Sequence, residues 1–360
     1  MVIQYKCPNC GSNMEFDAST GMLSCASCGR EEPIENIHED MKIGNDNIQH
    51  NEQQQWGNVH SNQDNESASK EYICKNCGAV IFTDADTTAT SCSFCGAPVV
   101  LSDRLSGSYL PAKVIPFTIT KEQATEAFKK WCSKGLLFPD DFKFANRIKS
   151  ITGMYIPFFL YDLDGHGELN ATCTKVKSYS KGDYIYTETS YYNVYREAFV
   201  KYNKVPADAS EKMNDSLMDK LEPYDYSNLK DFQMPYLAGY LAENYNYNEK
   251  DLYPRIQQRV EPYVDSFMKS SIKGYASTRV NYESIQLNPT DTYYTLLPIW
   301  MVCYDYQQSE HTFAMNGQTG KIVGTPPIST KKKTIAFFIL IGIIFAIELL
   351  IEFFMTGGIF

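Results

Sequence analysis

The sequence of 360 residues predicts an α+β protein made of unlike parts: two small four-cysteine modules, a β-rich mixed body and one C-terminal transmembrane helix. Three observations predict it. Eight of the 11 cysteines fall in two segments of identical spacing near the N-terminus, strand-like and helix-like stretches of the body group together instead of alternating, and a long apolar run stands near residue 345. A hydrophobic fraction of 43% with 20 Phe, 26 Tyr and 3 Trp is too rich for a disordered chain and too low for a polytopic membrane protein. Met1 to Cys7 show no basic region followed by an apolar one, so no secretory signal is expected and the thiols should stay reduced. Cysteines in a reducing compartment point to metal.

Cys7, Cys10, Cys25 and Cys28 recur, displaced by 67, as Cys74, Cys77, Cys92 and Cys95, together with Tyr5 as Tyr72, Gly11 as Gly78, Asp17-Ala18 as Asp84-Ala85 and Gly29 as Gly96. Each copy (1–30 and 71–104) is too short to bury a core without a staple. Two Cys-x-x-Cys-Gly turns per copy, each Gly permitting the positive φ that aims backbone amides at the sulfurs, supply the four ligands of a tetrahedral site. Two Zn per chain are expected. Redox CxxC motifs are disfavoured because they come singly beside a βαβ pattern, and a rubredoxin-like iron site is the remaining rival. A closed four-cysteine site has no open coordination position, so it is structural and leaves binding as the role. Ribbon one is neutral, with Lys6 and Arg30 against Glu15 and Asp17; ribbon two is net −2, with Lys75 and Arg104 against Glu71, Asp84, Asp86 and Asp103. Neither carries the basic stripe that phosphate backbones require, so protein partners are favoured over nucleic acid.

Residues 31–70 hold nine acids, two lysines and one aromatic, Trp56, and read as an acidic flexible linker, with Trp56-Gly57 as a short segment that packs on the second module. The body is 105–326. Val114–Ile119 reads as a strand, and Thr120 caps a helix from Lys121 to Ser133 bearing Ala124, Ala127, Phe128 and Trp131. Met154–Tyr161 and Ala171–Lys177 flank Asp162-Leu-Asp-Gly-His-Gly-Glu, read as a hairpin, and Tyr184–Val205 is a Tyr-rich strand. Ser210–Leu221, Pro235–Tyr245 and Asn248–Lys273 read as helices, the last with Leu252, Ile256, Val260, Val264, Phe267 and Met268 on one stripe. Tyr275–Leu287, Tyr294–Tyr306 and His311–Val323 read as three strands. Pro157-Phe-Phe-Leu-Tyr-Asp echoes the segment from Pro298 to Asp305, a hint of two related subdomains.

After a basic juxtamembrane segment (327–333, with Lys331, Lys332 and Lys333), residues 334–355 read as a transmembrane helix and 356–360 as a short tail. Fifteen Ile, Leu and Phe residues favour insertion by about 5–9 kcal/mol, against up to about 3 kcal/mol for each of Glu348 and Glu352. Those two acids share one helix face, which suggests a partner helix in the membrane. Lysines before the span and none after put the bulk of the chain in the cytoplasm, with a single-pass tail anchor in the cell membrane.

No HExxH, GxSxG, Walker A or Rossmann fingerprint occurs, so no catalytic residue is expected. The histidines (38, 50, 60, 166 and 311) are scattered; Asp162, Asp164 and Glu168 fit a turn better than a calcium loop; Cys132, Cys173 and Cys303 read as buried thiols.

With these motifs in hand, the sequence resembles the membrane-anchored double zinc-ribbon proteins of Gram-positive bacteria, often labelled TFIIB-type zinc ribbon-containing protein or, from the cysteine pattern alone, primosomal replication-restart helicase. The resemblance rests on the ribbons, residues 114–124 (Val-Ile-Pro-Phe-Thr-Ile-Thr-Lys-Glu-Gln-Ala), 195–210, 236–243 (Tyr-Leu-Ala-Gly-Tyr-Leu-Ala-Glu) and 297–321. It implies a non-catalytic membrane adaptor or anchor, associated with SPFH-domain or PspA-like proteins in envelope stress. The alternative is a membrane-tethered nucleic-acid-binding protein in replication or transcription, and a third reading is an enzyme hidden in 105–326.

Overall fold

Both cysteine modules are built into the same sheet as the body. The computed structural model describes residues 1–37, 42–43, 70–143, 148–306 and 309–355. The first module supplies β1 (Val2–Tyr5), β2 (Met14–Asp17), β3 (Met22–Cys25), β4 (Glu31–Glu32) and β5 (Lys42–Ile43). The second supplies β6 (Lys70–Ile73), β7 (Val80–Thr83), β8 (Thr87–Ser91) and β9 (Pro98–Leu101). The body adds β10 (Lys113–Val114), α1 (Lys121–Lys134), β11 (Ile148–Lys181), β12 (Tyr184–Asp208), α2 (Asp215–Lys220), β13 (Lys230–Asp231), β14 (Leu241–Glu243), α3 (Glu249–Ser270), β15 (Ser277–Tyr306), β16 (Ser309–Asn316), β17 (Ile322–Gly324) and α4 (Thr330–Met355).

The main sheet runs β13-β10-β15-β11-β14-β8-β9-β1-β5, with β12 also on β11 and β16–β17 also on β15. Val2 pairs with Leu101 and Ile3 with Val100, so the two ribbons are joined strand to strand. Ordered structure in the first ribbon continues past residue 30: β4 pairs with β3, and Ile34 is buried in the main core. The linker expectation therefore starts too early, because burying Ile34 ties down its neighbours. Residues 38–41 and 44–69 of that linker, with Trp56-Gly57, His38, His50 and His60, lie outside the described residues, as do 356–360.

The body departs from expectation most at Asp162–Glu168, which is no turn. β11 passes straight through it, and the chain reverses at Gly182-Asp183, where Lys181 pairs with Tyr184. Gly165 and Gly167 are there for packing: a Cβ on Gly167 would stand 2.8 Å from Met268 Sδ and 3.2 Å from Val264 Cγ1 of α3, and one on Gly165 would meet Val200 and Leu287. Glycine lets the helix lie close to the sheet. Asp162 marks a β-bulge on both sides of β11, and its carboxylate accepts the Lys204 N–H at 2.7 Å, where Lys204 adopts φ 56°. β15 likewise runs unbroken where two strands were expected. The two Pro-led segments lie on β11 and β15, paired with each other (Tyr155 opposite Pro298), so they belong to one sheet and not to two subdomains.

Before the bulge both faces of β11 are covered. Tyr155, Phe159 and Tyr161 enter the main core, while Ile156 and Phe158 join Met218, Leu221 and Tyr224 on the other side. Beyond it, β12-β11-β15 continue as a three-stranded arm covered on one face by α3. Apolar residues then alternate with polar ones, as a half-covered antiparallel sheet requires. α3 has an Asn248–Asp251 capping box and buries Leu252, Ile256, Val260, Val264 and Met268, about 1.5–3 kcal/mol apiece. Phe267 is exposed, since residues 267 and 268 lie about 100° apart on the helix and cannot both face the sheet. α1 has its expected Thr120–Gln123 capping box and buries Ala124, Phe128 and Cys132. Two other expected helices shorten: Ser210–Leu221 keeps only α2, and Pro235–Tyr245 becomes a 3-10 turn followed by β14.

Candidate metal centres and contact surfaces

Each cysteine pair sits in a turn closed by the glycine that follows it. Gly11 N–H donates to Cys7 O at 2.8 Å, Gly29 to Cys25 O at 2.9 Å, Gly78 to Cys74 O and Gly96 to Cys92 O at 2.8 Å. Their φ values, 73°, 72°, 78° and 71°, are the positive ones this turn demands. The turns bring Cys7 and Cys28 Sγ to 3.5 Å, Cys10 and Cys25 to 3.5 Å, Cys74 and Cys95 to 3.7 Å, and Cys77 and Cys92 to 3.8 Å. Zn–S bonds of about 2.3 Å in a tetrahedron place sulfurs about 3.8 Å apart, so both donor sets fit zinc with little movement. Cys7, Cys25, Cys74 and Cys92 are buried, and their partners face solvent.

Local donors prepare three of the sulfurs for a cation, whereas at Cys25 and Cys77 backbone N–H groups pull the thiols down but burial and the neighbouring sulfurs outweigh them and hold both above the usual range. The backbone N–H and hydroxyl of Ser12 lower the Cys10 thiol to about 6, and the Asn76 side chain with the Ala97 N–H lowers Cys95 to about 6. The Arg30 backbone and the Asn9 side chain hold Cys28 below the usual thiol range. These are the outer-shell contacts that favour thiolate, the form zinc binds. Each site is a closed four-sulfur set, so it supplies structure and leaves no position for substrate.

The ribbons differ in what surrounds the metal. In the first, Met14, Phe16 and Leu23 are buried; Phe16 packs on Tyr236 (5.4 Å between ring centroids) and its N–H donates to Ala238 O at 2.8 Å. In the second, Ile73, Val80 and Phe82 share one face of the β6–β7 hairpin and are 58%, 42% and 65% exposed, with Phe94 of the second knuckle 76% exposed. Arg104 is buried beneath this ribbon, where it donates to Asp84 O and Thr87 O and lies 5.1 Å from the Tyr72 ring centroid. Lys212 of the body reaches Asp84 and Asp86, each at 2.9 Å.

A cleft of about 740 Å³ opens between the first ribbon, α1 and the Gly239-Tyr240 turn. Among the described residues, its charged lining residues are Glu15, Asp17, Lys121 and Glu122, and neither His nor Cys lines it. Cys132 and Cys173 are buried, and burial pushes the Cys132 thiol up to about 12. The side chain of Cys303 lies outside the described residues.

α4 is long and apolar enough to cross a membrane: the most apolar 18-residue stretch within Thr330–Glu352 has a mean hydropathy of 2.8, and none of that stretch is buried. Its root is held to the body, because Ser329 N–H donates to Leu137 O at 2.9 Å and Lys332 Nζ to Phe138 O at 2.9 Å and to Asp140. Lys332, expected as a juxtamembrane cation, is therefore committed to this joint. Leu136, next to it, is 88% exposed, and Ile328 is also exposed. Glu348 and Glu352 stand one turn apart far along the helix.

Fold and metal geometry together define a double zinc-ribbon protein with a strand-rich α+β body. A family model described as TFIIB zinc-binding matches residues 5–40, the first ribbon and its continuation through β4 and Ile34. Over 358 residues, 99% of this chain and all of the relative, the sequence is 51% identical to the uncharacterized protein YdjG of Bacillus subtilis (strain 168). The chain belongs to the YdjG family. No solved structure matches it.

The fold brings together the two four-cysteine sets to which the local spacing points. Sequence reasoning did not single out Glu197 as a neighbour of His166 and Glu168. The alternation His166-x-Glu168 was a signal, but only strand pairing brings in the third residue.

Proposed function

We propose that this protein is a non-catalytic adaptor, anchored in the membrane by α4, whose cytoplasmic zinc ribbons and body recruit protein partners of the SPFH or PspA-like kind to the bilayer surface in envelope stress. The exposed Ile73, Val80 and Phe82 face on the second ribbon is the observation that carries it. Large apolar side chains that share an exposed face mark contact sites for proteins. Nucleic acid is the poorer partner, because Arg104 is buried and Lys6 is engaged by Asn13 and Asn76, which leaves no basic stripe on either ribbon. Exposed Leu136 and Ile328 at the root of α4 suit a bilayer interface, and Glu348 with Glu352 would face a partner helix within it.

Affinity capture of the full-length protein from detergent extract tests this. Phe82→Glu with Ile73→Glu should lose the captured proteins at least tenfold while the chain stays in the membrane pellet after alkaline carbonate. Recovery of DNA or RNA in place of SPFH or PspA-like proteins would refute the partner class, and release by carbonate would refute the anchor.

A further inference from the structure

We propose that His166, Glu168 and Glu197 form a third metal site, for a divalent first-row ion such as Zn²⁺, on the open face of the arm. His166 and Glu168 are two apart on β11 and so share a face, and Glu197 stands directly across from Glu168 on β12. Like charges directly opposite in a sheet repel. Among the described residues, the ion-pair partner of both carboxylates is His166 alone, its Nε2 lying 2.9 Å from Glu197 and 3.9 Å from Glu168. The three ligand atoms all lie within 4.8 Å of one another. Donors at about 2.1 Å from an ion sit about 3.0 Å apart along an octahedral edge and about 3.4 Å along a tetrahedral one, so small carboxylate rotations complete the site without moving a strand.

The surroundings hold the ligands in place. Phe199, directly across from His166, stacks on the imidazole with ring centroids 4.7 Å apart and planes at 16°, fixing the ring's plane. Gly165 and Gly167, which alternate with the ligands along β11, are packed from the opposite face, Gly167 by Met268 and Val264 of α3 and Gly165 by Val200 and Leu287. One imidazole and two carboxylates suit zinc or manganese better than magnesium or calcium, and three protein donors leave coordination positions open to solvent. This separates the site from the closed ribbons. It is independent of the adaptor reading.

Full-length protein in detergent, its ribbons filled with zinc, is dialysed to equilibrium against Zn²⁺ and its metal counted by elemental analysis. Wild type should hold three Zn per chain, and His166→Ala and Glu197→Gln two, with affinity at the third site falling by more than the ~10–100-fold typical of losing an outer-shell partner. Co²⁺ added to the zinc-filled protein should give weak visible bands without sulfur-to-cobalt charge transfer, and the bands should vanish in both variants. The altered side chains are at least partly exposed, so unchanged circular dichroism melts are expected. Saturation of wild type at two metals, or a third metal kept by both variants, would overturn the proposal.

Discussion

The two ribbons share every cysteine interval and the glycine-closed turns, and differ in what surrounds the metal. Where the second ribbon carries Ile73, Val80, Phe82 and Phe94, the first has Lys6, Asn13, Glu15 and Ser27. The first buries Phe16 against the body, and the second turns Ile73, Val80, Phe82 and Phe94 outward while burying Tyr72 and Ile81. One metal frame therefore serves two ends: the hairpin of the first copy packs on the body, while that of the second, whose β8 and β9 also lie in the main sheet, presents a surface. A zinc staple makes this possible, because a module held by its metal can leave apolar side chains exposed without unfolding.

The severest way to break the comparison is to remove the metal from each ribbon in turn. Cys25→Ser should cost on the order of 10 kcal/mol of local folding energy, lower the zinc count by one per chain and lower the melting temperature of the whole body, read by elemental analysis and calorimetry. Cys77→Ser should lose one zinc as well but leave the body's main transition closer to wild type. Equal damage from both would show that the ribbons brace the sheet alike. Next in size, Phe16→Ala should destabilise by about 3–5 kcal/mol in chemical denaturation, whereas Phe82→Ser should stay within about 0.5 kcal/mol. Gly239→Ala, at φ 94° and with its Cβ 3.1 Å from Glu15, should cost about 1–2 kcal/mol by straining the turn on which the first ribbon rests.

A small effect belongs to the clasp on the second ribbon. Partial burial pulls the Lys212 ammonium down, but Asp86 and Asp84 outweigh it and hold its pKa above the usual lysine range. A raised lysine pKa contributes stability that is complete below the unfolded value and is lost only as pH rises through the folded one, so pH 5 to 9 should leave it unchanged. Lys212→Ala should cost under about 1 kcal/mol, because the pair is partly solvated, and the difference should shrink in high salt.

Much of this molecule was legible residue by residue. The ligand spacing, the glycines after each knuckle, the Thr120 cap, the α3 stripe apart from Phe267 and the apolar C-terminal run are local patterns, and local patterns follow from backbone geometry at short range. The arm was not legible. Gly165 and Gly167 look like turn residues along the chain, and only the approach of Met268 and Val264, about 100 residues on, shows that they make room for a helix. The break expected within β15 failed for a similar reason: Asn288-Pro289 reads as punctuation, yet pairing with β11 carries the strand through it.

The sequence by itself determined the two metal frames, the helix caps and a helix apolar enough for a membrane, because each depends on residues within a few turns of one another. Tertiary structure alone decided that the ribbons join one sheet, that one hides its hairpin while the other shows it, and that His166 and Glu168 meet Glu197. Those outcomes depend on pairing between distant strands, where a one-residue change of register would send every side chain to the opposite face.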